Sequence, residues 1–111
     1  MLKSLMNWIN LMRAKRTVIN SIESNIQFLD YYLHIIKENI DYCIDEDDSM
    51  QFIELFNMQS KIYELIEISF KNIEEIKFIR KTCEIKDLTN LVLTDVTYVT
   101  EELYNISEYF K

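Results

Sequence analysis

The sequence predicts an all-α protein: an antiparallel three-helix bundle or coiled coil built on a long N-terminal helix. Three observations carry that expectation. First, the chain of 111 residues contains Gly 0 and Pro 0. Tight hairpin turns need positive φ at their central positions, which glycine supplies most cheaply. Phosphate-cradling loops need glycine so that backbone can approach the ligand. Sandwiches, barrels, dinucleotide-binding units and P-loops are all disfavoured, whereas long helices joined by few turns are not. Second, 49% of the residues are hydrophobic, enough to bury a core, and a chain of this length makes one helical domain, residues 1–111. Third, apolar residues recur at helical spacing in three segments.

The first segment, helix 1 at about 2–44, carries Leu5, Trp8, Met12, Lys15, Ile19, Ile22, Ile26, Leu29, Leu33, Ile36, Ile40 and Cys43. Spacing alternates three and four without a slip, and Lys15 alone is polar. A 3.5-residue period of that length reads as the seam of a supercoiled helix pair. A second stripe, Phe28, Tyr32, Ile35 and Tyr42 with Asn39 as its polar member, widens the later half. Two neighbours must cover so broad a face, so the earlier half reads as a two-body contact and the later half as a three-body core. A kink or break is expected near residues 20–25. The acceptor-rich run Asp45 to Ser49 ends the helix, and Asp48 followed by Gln51 reads as a capping box for the next one.

Helix 2, about 49–82, has stripes Leu55, Ile62, Ile66, Ile73 and Ile76 beside an aromatic row Phe52, Phe56, Tyr63 and Phe70. Both are read as core, which makes this the central helix. Arg80 and Lys81 fall in its expected last turn, where cations suit the helix dipole. Helix 3, about 86–110, follows Leu88, Val92, Val96, Val99, Leu103, Ile106 and Phe110. Residues 88–100 are rich in Val and Thr, which favour strands. A lone strand has nothing to pair with inside the chain, so helix is expected, a strand pairing with another copy being the alternative. Up-down-up packing places Cys43 and Cys83 near opposite ends of helix 2, roughly 50 Å apart and beyond disulfide reach.

Net charge is −7, distributed unevenly. Residues 1–16 hold Lys3, Arg13, Lys15 and Arg16 with no acid, and the remainder holds 8 basic and 19 acidic residues. An acidic body repels nucleic-acid backbone, so no direct nucleic-acid partner is expected. Apolar runs are too short for a membrane span, and the N-terminal segment does not suit a signal peptide. A cytoplasmic location, bacterial or host-cell, with reduced thiols is expected. Heavy use of Ile, Asn, Lys and Tyr fits a low-GC bacterium, a phage or a virus.

Chemistry-bearing sets are sparse. One His and two distant Cys do not make a zinc site. The Asp45–Asp48 run lacks the glycine and the twelfth-position glutamate of a calcium loop. Glu74-Glu75 and Glu101-Glu102 fall at polar positions, where a solvated face is the favoured reading. No metal, no cofactor and no enzymatic activity are expected. His34-Ile35-Ile36-Lys37 is similar to the His-x-x-Lys motif of histidine-phosphotransfer domains, which are also helical bundles. The resemblance covers four residues and implies phosphate acceptance at His34 with Lys37 offsetting its charge. Glu38 stands where that family has glycine and would repel a phosphoryl group, and a solvated polar-face histidine is the preferred reading.

The segment Leu2 to Arg16 is the leading candidate for function. Leu2, Leu5, Met6, Trp8, Ile9 and Met12 are apolar, and four cations accompany them, as in partner-docking and membrane-surface helices. Leu5, Trp8, Met12, Lys15, Ile19 and Ile22 form the expected partner or dimer interface, with Lys15 able to fix register. Ile53, Ile68 and Phe78 lie off the main stripes of helix 2 and form an expected second exposed patch. The expected function is a non-catalytic protein–protein interaction module, a homodimer that binds or masks an unidentified protein as an inhibitor or accessory factor. A peripheral membrane protein using the basic N-terminal helix is the alternative, and histidine phosphotransfer at His34 the weaker one.

Overall fold

Among the described residues there are three helices: α1, Leu2–Asp45; α2, Ser49–Lys77; and α3, Ile85–Tyr109. The computed structural model describes residues 2–78 and 85–111, with side chains for 2–78 and 92–111. Arg80, Lys81 and Cys83, and the side chain of Leu88, lie outside the described residues. No strand occurs among the described residues, and the Val- and Thr-rich stretch is helical. Burial overrides propensity there: Val92, Val99, Leu103 and Ile106 form one buried stripe.

α1 is continuous through residues 20–25, the place where a kink or break was expected if the helix had one. At 1.5 Å per residue its length is about 66 Å, and the molecule's longest dimension is 68 Å. Its polar residues find partners without interrupting the ladder. Thr17 Oγ1 donates back to the Arg13 carbonyl at 3.0 Å, and Asn25 Nδ2 donates to Thr100 Oγ1 of α3 at 3.1 Å.

The turn after α1 solves a problem created by the absence of glycine. Asp47 adopts φ 56, the left-handed conformation that ends many helices. The Asp48 N–H then donates to the Cys43 carbonyl at 2.9 Å and the Asp47 N–H to the Ile44 carbonyl at 3.4 Å. That pair of bonds satisfies the last carbonyls of α1, and aspartate tolerates the conformation better than most non-glycine residues. The Asp48 side chain next accepts from the Gln51 N–H at 3.2 Å and caps α2. The reciprocal half of the box is absent, because Gln51 Oε1 instead accepts from the Cys43 thiol at 3.5 Å.

α2 closes at Lys77 with Phe78 as its C-cap, earlier than the expected boundary near residue 82. α1 and α2 share the most extensive interface, with α3 packed on both. One core cluster joins Leu29, Leu33, Ile36 and Cys43 to Leu55, Ile62 and Leu65 and to Val99, Leu103 and Ile106. A second joins Leu11 and Ile22 to Ile73, Ile76 and Val92. The earlier half of α1 is therefore also packed by two neighbours, not one.

Candidate functional site

At its N-terminal end, the core-facing line of α1 leaves the heptad stripe. Leu11 is 1% exposed whereas its stripe neighbour Met12 is 44% exposed. A 3.5-residue repeat drifts about 20° per heptad around a straight 3.6-residue helix. Over the five heptads back from Cys43, Leu5 and Met12 rotate off the core onto a flank. Leu11, Ala14, Val18 and Ile22 take their place. Of the expected interface residues, Leu5, Trp8 and Met12 are exposed and Lys15 and Ile19 half-buried. Ile22, 2% exposed, belongs to the protein's own core. That removes Ile22 as an interface residue.

The flank forms a groove of about 530 Å³ lined by Trp8, Ile9, Met12, Ile19 and Asn20, with Arg13, Lys15, Arg16 and Lys77 supplying cations. Arg13, Arg16 and Lys77 make no ion pair among the described residues. The groove continues along the α1–α2 seam. Its next stretch is lined by Glu23, Ile26, Gln27, Phe70, Ile73, Glu74 and Lys77. Beyond that come Lys37, Ile40, Asp41 and Ile44 of α1 facing Phe52, Phe56 and Gln59 of α2. The third helix packs on the other side, where Asn25 bonds Thr100 and Tyr32 stacks on Phe110 at 5.8 Å.

Along this open face runs a row that sequence reasoning assigned to the core. Phe56, Tyr63 and Phe70 are 52%, 50% and 55% exposed. The buried stripe is Leu55, Ile62, Ser69 and Ile76, one residue earlier at each step. One residue is 100° of turn, enough to carry the aromatics from the core onto the seam. The available signal was that the row's heptad position continues into Lys77. Among the aromatics, Phe52 is half-buried and stacks on Phe56 with centroids 6.2 Å apart.

The expected second patch does not form. Ile53 and Phe78 are exposed, but Ile68 packs against the core. Fifteen residues separate Ile53 from Ile68 and ten separate Ile68 from Phe78, roughly 22 and 15 Å along the helix. His34 is exposed on the open face, with Nε2 3.9 Å from Glu38 Oε1. That carboxylate stands where a phosphoryl group would be received.

Elsewhere the titratable groups are structural. Burial, and secondarily the charge of Asp48, pushes the Cys43 thiol up from its ordinary value, which keeps it protonated and unreactive. The hydrogen bond with the Tyr98 hydroxyl raises the Lys61 ammonium, with Glu64 at 3.8 Å adding to it. Among the described residues, no group of three or more His, Cys, Asp or Glu is placed to hold a metal ion, and no helix is long and apolar enough to cross a membrane. Comparison with protein-family models, curated proteins and solved structures finds no match for this chain.

Proposed function

We propose that this chain is a non-catalytic protein–protein interaction module that self-associates and binds a partner protein, as an inhibitor or accessory factor. The working surface is the exposed flank of the N-terminal part of α1 and the groove it opens beside α2. One observation carries the reading: Leu2, Leu5, Met6 and Met12 are exposed together at one end of α1, where the cations of the helix also gather. A run of large apolar side chains left in water beside Arg13 and Arg16 is costly unless something covers it. Most of the described acids of the body, Glu74 and Glu101 among them, are exposed, and the buried thiol is held protonated, which favours binding over chemistry.

Removing residues 1–18 is a poor test, because Leu11 belongs to the core. The double variant Leu5→Ser, Met12→Ser touches only exposed positions. It is expected to keep the helical circular dichroism of the parent while weakening partner capture, with the mass in solution followed by light scattering. Unchanged mass together with unchanged partner capture contradicts the reading.

The cationic apolar flank also favours a second reading, an interfacial helix on an anionic membrane surface. Co-sedimentation with phosphatidylserine vesicles decides between them. Binding that disappears in neutral vesicles and at high salt supports the membrane, and absence of binding removes it.

A further inference from the structure

We infer that the open α1–α2 face is covered by a second copy of this chain, laid antiparallel about a two-fold axis that passes between Tyr63 and Phe70. The inference rests on the self-association proposed above and replaces the N-terminal seam with a longer surface. The charge polarity of the rod locates the axis, and the aromatic row supplies the surface on which it falls.

Lys3, Arg13, Lys15 and Arg16 stand near one end of α1, and Asp45, Glu46, Asp47 and Asp48 at the other. Parallel copies would set cation against cation and acid against acid. Antiparallel copies set Arg13 and Arg16 beside the partner's acidic turn, twice, as a closed two-fold interface requires. The midpoint between Arg13–Arg16 and Asp45–Asp48 falls at residues 30–31 of α1.

Gln27 and Phe70 line one stretch of the groove together, and Ile40 and Phe56 another. Between them, residues 30–31 of α1 lie level with Ile66 and Glu67 of α2, halfway from Tyr63 to Phe70. A two-fold axis there brings Tyr63 of each copy against Phe70 of the other. It also brings Phe56, next in the row, level with the other copy's Lys77, a cation facing an aromatic ring. Side chains half in water in the single chain would thus be buried against their own row. The overlap runs about 48 Å along α1, across a molecule 20 × 16 Å in its shorter dimensions. That suffices for the roughly 800 Å² per partner of a stable interface.

The test is a charge swap, using the full chain and exposed positions only. Arg13→Glu with Arg16→Glu is expected to weaken dimerisation, measured by sedimentation equilibrium, at least about tenfold, as opposed interfacial charges do. Asp45→Arg with Glu46→Arg should do the same. All four substitutions in one chain should restore the dimer, because each copy then offers acid where its partner offers base. Matching circular dichroism guards against loss of fold. A dimer indifferent to either charge reversal, or one the combination fails to restore, overturns this arrangement while leaving self-association standing. A wild-type chain that stays monomeric overturns both, including the case in which the face takes up an acidic amphipathic peptide instead.

Discussion

Asn72 is the residue whose environment least resembles its chemistry. It is 1% exposed, and neither its Nδ2 nor its Oδ1 has a hydrogen-bond partner among the described residues. Ser69, one turn away, avoids this by donating to the Leu65 carbonyl at 2.8 Å. A buried unsatisfied amide costs about 1–3 kcal/mol, so Asn72→Leu is expected to stabilise the fold by that order, read from urea unfolding. Destabilisation would show that the amide is satisfied in solution. Asp47 gives a second case, since a non-glycine residue in the left-handed region costs about 1–2 kcal/mol. Asp47→Gly should recover part of that, and a loss would assign the carboxylate a contact of its own. Lys61 and Tyr109 both hold their protons more firmly than usual, the first through its bond with Tyr98, the second chiefly through burial. For groups with raised folded values, the added stability is present below the unfolded value and lost as pH rises through the folded one. The stability difference between wild type and Tyr98→Phe should therefore hold steady from neutral pH and shrink above about pH 10.5. A gap unchanged to pH ~11 would contradict the coupling. Asn72 and the Lys61–Tyr98 bond were not legible in the sequence, because each depends on which side chain another helix places beside it.

At the scale of elements, periodicity located all three helices and the capping aspartate Asp48, but it placed the face of α1 wrongly. The heptad register from Ile26 to Cys43 is short enough that 3.5 and 3.6 residues per turn agree, and Leu29, Leu33, Ile36 and Cys43 are buried as expected. Extended to Leu5, the two periods diverge and the true core line passes through Leu11. The consequence is measurable. Leu11→Ala should cost about 2–5 kcal/mol, as for other buried leucines, while Leu5→Ala at monomer concentration should change stability by less than about 0.5 kcal/mol. Equal costs would return the core to the heptad line. The same one-residue ambiguity hid the candidate site on α2. Two adjacent heptad rows, Leu55–Ile62–Ser69–Ile76 and Phe56–Tyr63–Phe70–Lys77, are each mostly apolar, and packing against α1 covers the first.

The whole molecule is a narrow rod, 68 × 20 × 16 Å, with its third helix on one side of the α1–α2 pair and an apolar, partly aromatic groove on the other. The absence of glycine and proline foretold such a body, and the split of charge between residues 1–16 and the rest foretold its polarity. The groove itself was beyond sequence, since it exists only where α3 leaves a seam uncovered. The central claim is that this seam is closed by a second copy. Light scattering of the wild-type chain, compared with Arg13→Glu, Arg16→Glu at the same concentration, tests it most directly. The account predicts twice the chain mass of 13.5 kDa for the wild type and a fall toward 13.5 kDa for the variant. A wild-type mass of 13.5 kDa at every concentration would contradict it.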